Sequence, residues 1–512
     1  MAAVMVAVGC VLLIWSALTP PFTTVDEPRH VNSIVRLLEG GGWPAPRTAP
    51  MLDGTLNALR EAGSPPGDVL DLAVLPDSEQ RSVLVGFQSS LYDDVGAIDW
   101  MNQHPPTYYV IVAATLAPFA EALRWDQFVT GARGVSILLV VGGLAFGMAT
   151  ARMLTNSYTA AVLGGFVVFL VPQFFNVLSL VTNDALAVFA VSGALWFAVR
   201  AIVAPRGLSW LDALGVGGFL GLSILTKGTL LVAVPVFALL LVVACLCDAR
   251  SRRSGASWIR ALAALSFAAA IGGWWWVRNI VLYGQLQSSN SGGARSETAF
   301  DGYDLGSFLL RVADQLARTT WGSLRADTAL PALLVISLTL GLLLAIGIAL
   351  YGAGGRTRAV MVILALLPLL TTALITANAW RVYWNTGRIV GIQGRYFFPW
   401  ITILIVTVAL VWLVVRAASG RRYRFALASL FVVVPASVQV FALVLVVNRR
   451  WEGDIASMLE AGAWRPWSIA SVVLLLGAAL VTAVSVPLFA RPWARRRSTT
   501  ALDTELRQEP MA

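Results

Sequence analysis

The sequence predicts an all-α, polytopic membrane protein: a bundle of about twelve transmembrane helices, or thirteen if one short apolar run also crosses. Three observations carry this. The chain is 57% hydrophobic and only 13% charged, with a mean hydropathy of +0.74. Its apolar residues fall in blocks of about 16 to 25, the length a helix needs to cross ~30 Å of hydrocarbon. Its arginines recur in short connections after every second block, as cytoplasmic loops require. A transmembrane β-barrel needs short alternating segments, and none is present.

The predicted spans are 2–19, 132–151, 157–173, 184–203, 209–226, 229–247, 258–281, 329–352, 358–377, 397–416, 424–447 and 467–489. They form one transmembrane domain over 1–490, followed by a basic, then acidic, tail at 491–512 expected to be disordered and cytoplasmic. Met1 to Ala17 has no basic start and reads as an uncleaved anchor rather than a signal peptide. Arg200 and Arg206, Arg250, Arg252 and Arg253, Arg356 and Arg358, Arg416, Arg421, Arg422 and Arg424, and Arg491, Arg495, Arg496 and Arg497 mark the cytoplasmic connections. Loops 20–106, 282–328 and 378–396 are then exoplasmic. Asn183-Asp184 also falls outside, provided the run 107–122 does not cross; it starts at Pro105-Pro106, contains Pro118, and reads as a helix at the outer membrane surface.

The formal charge of +9 rests on 36 arginines and one lysine, Lys227. Because these cations are scattered between apolar blocks, they read as topological anchors and not as a nucleic-acid surface. Cys10, Cys245 and Cys247 lie in apolar segments and suggest neither a disulfide framework nor a zinc site.

The unusual polar residues face outward on this topology. Asp26 and Glu27 follow the first span and precede Val31, Ile34, Val35, Leu37 and Leu38, an apolar stripe at helical spacing. A juxtamembrane helix with two acids at its start is expected, and carboxylates against the bilayer point to function beyond capping. Asn102-Gln103-His104-Pro105-Pro106-Thr107-Tyr108-Tyr109 holds one of the chain's two histidines; the other, His30, lies in the same loop. Asp184 starts a span, where capping and function are equally open readings. Lys227 lies between two spans at the outer face. Arg278 follows three tryptophans and reads as a snorkelling anchor or a phosphate ligand. Arg381, Arg388 and Arg395 crowd a short outer loop with Gln393 and Tyr396, against the positive-inside expectation, and a phosphate is their natural partner. A carboxylate can serve as general base while Arg and Lys stabilise a departing phosphate, which in a membrane means a lipid phosphate.

Asp26-Glu27, His104-Pro105-Pro106-Thr107-Tyr108-Tyr109, the outer Asn183-Asp184, Lys227 and Gln393-Gly394-Arg395-Tyr396 with Pro399 together resemble GT-C glycosyltransferases. Protein O-mannosyltransferases and the lipid A aminoarabinose transferase are among that superfamily's members. The resemblance runs from about residue 15 to 400 and is strongest at the first two motifs. It implies a GT-C-like bundle with juxtamembrane helices in the first exoplasmic loop. It implies single-displacement, inverting transfer of a hexose or pentose from a polyprenyl-phosphate donor to a glycan, lipid or protein acceptor. Asp26 then matches the general base, with Glu27 beside it, and His104 the loop residue that closes near the donor. Lys227 and Arg395 hold the phosphate, with Arg278 and Arg388 as further candidates, and Asp184, Gln393 and Tyr396 complete the binding set. The second outer loop has no Asp-x-Asp, only Asn183-Asp184, so a divalent metal is left open and no other cofactor is expected. The expected location is the bacterial plasma membrane, with the site facing out. A lipid-linked oligosaccharide flippase and a noncatalytic envelope-assembly protein are the alternatives; the first should show polar residues at mid-membrane depth.

Overall fold

The computed structural model describes residues 1–450 except 25, 47, 64–79, 89–97, 205–206, 248–254, 288–303 and 325–326. The expected span 467–489, the tail 491–512, Arg206, Arg250, Arg252, Arg253 and much of loops 20–106 and 282–328 lie outside the described residues.

Among the described residues no strand forms; three isolated bridges are the only extended pairings. The helices are α1 (Ala2–Leu18), α2 (Glu27–Leu38), α3 (Asp53–Glu61), α4 (Thr107–Leu116), α5 (Trp125–Thr155), α6 (Tyr158–Phe166), α7 (Pro172–Leu178), α8 (Asp184–Val203), α9 (Trp210–Ile224), α10 (Ala233–Cys247), α11 (Ala256–Ala268), α12 (Trp274–Tyr283), α13 (Leu305–Trp321), α14 (Ala332–Gly352), α15 (Gly355–Thr386), α16 (Ile401–Ala418) and α17 (Arg424–Arg450). Eleven of the twelve expected spans therefore coincide with helix. Eight of the described helical runs are long and apolar enough to cross a membrane, with α11 and α12 joined as one of them. A ninth counts if the two arms Tyr158–Leu170 and Pro172–Leu178, bent by 77°, make one span. Pro172 opens the second arm, where its missing N–H costs no helical hydrogen bond.

Two apolar cores fill the bundle. One joins α1, α5, α6, α7 and α16 through Trp15, Leu144, Met148, Phe166, Phe174 and Ile405. The other joins α8, α9, α10, α11 and α15. Small residues let the helices approach, as membrane packing requires: a Cβ on Gly164 would run into the Ile405 carbonyl. Helix α14 is the reverse case. Leu333, Ile336, Leu340, Leu343, Leu344 and Tyr351 are all exposed, the surface of a helix that meets lipid rather than protein.

A third core belongs to the first loop. The expected stripe on α2 is real: Val31, Ile34 and Val35 are fully buried, and Leu37 and Leu38 pack against the same cluster. Helix α4 contributes Tyr108, Tyr109, Val112, Ala113 and Leu116 to it. Including its final 3-10 turn, α4 is 13 residues long, about 20 Å of helix. The loop is tied to α5 by Arg81–Asp126 at 2.9 Å and by Trp125 Nε1 donating to Glu61 at 2.7 Å. The buried Arg81 and Asp126 charges and the Trp125 indole N–H are thereby partnered where the chain leaves the bundle. The first loop is thus folded onto the bundle, and it brings Asp26 beside the starts of α8 and α16.

Candidate active site

The chain turns sharply between α1 and α2. Phe22 sits at φ +67°, a region non-glycine residues rarely occupy. Two contacts hold it there: its side chain is buried against the Trp125 ring, 5.9 Å between centroids, and its N–H donates to Glu27 Oε2 at 3.1 Å. Glu27 is the hub of this turn. Both its oxygens accept from Arg133 of α5 at 2.7 Å, and Oε1 also accepts from the Val181 N–H at 3.2 Å. Arg133 in turn donates to the carbonyls of Ser16 and Thr19 at the end of α1. The Glu27 and Arg133 side chains are 1% and 3% exposed, so each charge is affordable only because the other is there. Glu27 is fully engaged in joining α1, α2, α5 and the segment before α8.

Asp26 is held beside it and points elsewhere. It is the N-cap of α2 by position, but its side chain makes no capping hydrogen bond. Instead Oδ2 accepts from Arg395 Nη2 at 2.7 Å, joining residues 369 apart in sequence. Arg395 Nε lies 3.9 Å from Asp184 Oδ2, and Asp184 Oδ1 accepts from Lys227 Nζ at 2.7 Å. Lys227 Nζ stands 4.8 Å from the centroid of the Tyr396 ring. The result is one alternating row: Asp26, Arg395, Asp184, Lys227. Asp184, too, makes no cap contact; the cap position belongs to Asn183, and the carboxylate is used on the cations.

The elements explain the placement. Asp184 opens α8, Lys227 follows the last turn of α9, and Arg395 lies in the 3-10 turn Gly394–Trp400 that leads into α16. Gly394 is required there because a Cβ would strike the backbone of Thr320, and its N–H donates to Thr319 Oγ1 at 2.8 Å. Thr107 Oγ1 donates to the Leu225 carbonyl at 2.9 Å, fixing the His104-Pro105-Pro106 turn beside the Lys227 segment.

Burial opposes ionisation of Asp26, but Arg395, His30 and Lys227 outweigh it and bring its carboxyl down to about 2. His30 lies against Tyr109, with Nδ1 3.0 Å from the phenol oxygen. Burial pushes His30 down to about 4 against the pull of Asp26. Burial, then Lys227 and His30, push His104 down to about 3, and its Nδ1 is buried without a partner. Both imidazoles are neutral at pH 7 and offer hydrogen bonds, not charge.

A cavity of about 280 Å³ opens at the Asp26–Arg395 end of the row. Gln393 lines it, and its Oε1 is buried without a partner. Lys227 and Asp184 do not line it. Of the residues singled out in sequence, Asp26, Asp184, Lys227, Arg395 and Tyr396 come together, with Glu27 behind them and His104 and Gln393 alongside. Arg278 and Arg388 do not join the row: Arg278 lies 5.0 Å from the Trp275 ring centroid and donates to Asn279, and Arg388 is exposed. Among the described residues no three His, Cys, Asp or Glu side chains group so as to hold a metal ion. Arg133, Asn176 and Ser323 are site residues that sequence reasoning missed. Only Arg133 carried a signal, a guanidinium inside an apolar span.

Residues 103–276, about a third of the chain, match the family model for dolichyl-phosphate-mannose-protein mannosyltransferase. No curated protein sequence matches. Among solved structures, ArnT from Cupriavidus metallidurans in the apo state is similar at 14% identity and a TM-score of 0.46, over 93% of this chain and 74% of that one. The Archaeoglobus fulgidus oligosaccharyltransferase in the apo form is similar at 13% identity and a TM-score of 0.42, over 94% of this chain and 56% of that one. This chain thus spans little more than half of the archaeal protein's length. The matched stretch holds His104, Asp184 and Lys227, in a bundle with at least eight helices fit to cross a membrane. Over that third of its length the chain is similar to dolichyl-phosphate-mannose-protein mannosyltransferases.

Proposed function

We propose that the protein transfers a sugar from a polyprenyl-phosphate donor to an acceptor hydroxyl at the exoplasmic face of the bacterial plasma membrane, with Asp26 as general base. The single observation that carries this is the ion pair of Asp26 with Arg395 at the mouth of a cavity, extended by Asp184 and Lys227. Among the described residues, Arg200 and Arg416 lie in the last turns of α8 and α16, the ends away from Asp184 and Arg395, which supports the outward orientation.

In the proposed step the acceptor oxygen attacks the anomeric carbon, its proton passes to an Asp26 oxygen, and the bond from the anomeric carbon to the phosphate oxygen breaks. The electron pair leaves with polyprenyl phosphate, whose growing charge Arg395 and Lys227 neutralise. Attack from the face opposite the phosphate inverts the anomeric centre. Glu27 serves as the post that fixes Asp26, not as a second base, since Arg133 and two backbone N–H groups occupy its oxygens.

The resting Asp26 is a weak base because Arg395 holds it ionised. A donor phosphate that takes Arg395 leaves Asp26 partly buried without its cation, and burial then raises its proton affinity. Donor binding thus arms the base. Membranes bearing Asp26→Asn, supplied with polyprenyl-phosphate sugar, should show transfer reduced by about 100- to 10,000-fold. Undiminished transfer by a folded Asp26→Asn protein refutes the assignment.

A further inference from the structure

The 280 Å³ cavity has a chemistry that the row of charges does not explain. Its walls come from four separate segments: 24–30, 173–182, 319–324 and 393–395. The ionised groups that line it are already paired, Asp26 with Arg395 and Glu27 with Arg133. The rest of its polar lining carries no charge at pH 7: His30, held neutral by burial, and the amides and hydroxyls of Gln173, Asn176, Gln393, Ser323 and the threonines. Asn176 Nδ2 donates to the Leu324 carbonyl at 3.0 Å and to Gln173 Oε1 at 3.5 Å, which ties two of these amides together along the wall. Gln393 Oε1 is buried and unpartnered.

Such a wall suits a ligand with many hydroxyls and no charge. A phosphate or carboxylate would meet a single guanidinium already bound to Asp26. The hydroxyls of a sugar both donate and accept, matching amides and hydroxyls that do the same. The volume lies just below the ~300–1,000 Å³ of pockets that take drug-sized ligands, so one ring fits and an oligosaccharide does not. Position separates acceptor from donor. A leaving phosphate bridged by Arg395 and Lys227 sits toward Asp184, and neither Asp184 nor Lys227 lines the cavity. The group on the other side of Asp26 is the one that gives it a proton.

Resting on the transferase reading above, we propose that this cavity seats one uncharged sugar ring of an acceptor glycan, with Gln173, Asn176 and Ser323 reading its hydroxyls and Asp26 facing the one that attacks.

The test uses the full chain purified in detergent and three acceptor probes: neutral methyl glycosides, the matching glycoside phosphates, and a serine-containing blocked peptide. Binding is read by calorimetry for wild type, Gln173→Ala and Ser323→Ala, with polyprenyl phosphate as a separate titrant. The expected result is that neutral glycosides bind best, and that each variant weakens them about 2- to 12-fold, the worth of one neutral hydrogen bond. Polyprenyl-phosphate affinity and Tm should stay unchanged, which shows that the variants are folded. Preference for the glycoside phosphate or the peptide overturns the proposal, as does glycoside binding that both variants leave unaltered. Variants that raise KM for the polyprenyl-phosphate sugar while leaving glycoside binding alone assign the ring to the donor and also overturn it. Failure of the transferase reading looks different: neutral glycosides bind and respond to the variants, yet wild type transfers nothing.

Discussion

Replacing Asp26 by Asn should do two opposite things. It removes the base, so transfer falls. It also releases Arg395 from the carboxylate that holds it in the resting protein, so the donor phosphate no longer competes for that guanidinium. The size of the second effect follows from the ion pair. The Asp26 carboxyl moves from an ordinary 3.8 to about 2 although burial alone would raise it. That is roughly 2 kcal/mol of net preference for the charged form at 1.36 kcal/mol per unit. The two side chains are 23% and 25% exposed, so screening reduces the usable part to about 1–2 kcal/mol. Polyprenyl phosphate should therefore bind Asp26→Asn about 5- to 30-fold more tightly than wild type, measured by calorimetry on purified protein at low salt. Donor affinity that is unchanged or weaker in Asp26→Asn, in a variant of unaltered Tm, refutes the idea that acid and phosphate share one guanidinium.

Breaking the Glu27–Arg133 pair from one side, as in Arg133→Met, leaves a buried carboxylate uncompensated and should cost about 3–5 kcal/mol of stability. The double variant Glu27→Gln with Arg133→Met should recover much of that loss in Tm, and a single variant as stable as wild type would argue against the hub. Arg278→Gln and Arg388→Gln should leave polyprenyl-phosphate affinity within about twofold of wild type, because neither side chain reaches the row; a tenfold loss in either would bring it back as a phosphate ligand. Acid should loosen the first loop through its histidines. Both are held neutral below the ordinary 6.5, so the unfolded chain binds more protons than the folded one once pH drops under that value. Stability is full above about 6.5 and is lost toward 4 for His30 and 3 for His104. At pH 5 the loss is about 2 kcal/mol for each, and His30→Gln should lessen the drop in Tm between pH 7 and pH 5. Asp26 contributes with the opposite lever: its ion pair is intact above the ordinary 3.8 and fails only as pH falls toward 2, so it plays no part in that window.

Much of the fold was legible because the membrane reduces it to a length problem. Apolar runs of span length became helices wherever the chain is described, and the stripe on α2 faced inward as its spacing required. The 77° bend after Leu170 was not legible as a break. The expected span 157–173 ran across it, and the second arm carries Phe174 and Phe175, both fully buried in the core. The charged row was legible residue by residue and not as a row. Each member stood out as a charge next to hydrocarbon, yet nothing local says that Asp26 pairs with Arg395 rather than capping its own helix. The assignments of Arg278 and Arg388 had the same local warrant as that of Arg395. What distinguishes them is tertiary placement: Arg278 lies within α12 against Trp275, Arg388 is exposed beyond the end of α15, and Arg395 sits in the turn that meets Asp26. Apart from Gln393, the neutral lining of the cavity was not read as part of one site, because Gln, Asn, Ser and Thr at loop ends are ordinary in sequence and acquire meaning only when four segments close around one space.

The row's neutrality is itself informative. Two acids and two cations in line, each partly or fully buried, give a site without net charge, and burying a net charge there would carry a large desolvation cost. In the proposed reaction, a dianionic leaving group therefore has no preformed excess of positive charge to fall into. It must take a cation away from an acid, and the pair easiest to open is the one nearest water: Asp26–Arg395 is about a quarter exposed, whereas the Lys227 and Asp184 side chains are 7% and 2% exposed. On that proposal Lys227 keeps its contact with Asp184 while Arg395 is the cation that changes partner. The acid that Arg395 abandons is the one facing the cavity, so the carboxylate gains basicity on the side where an acceptor hydroxyl must lose its proton. Had the more exposed pair been Asp184–Lys227, donor binding would strengthen a base that no acceptor can reach. Under the proposed function, the order of the four residues, and not merely their presence, couples phosphate capture to deprotonation.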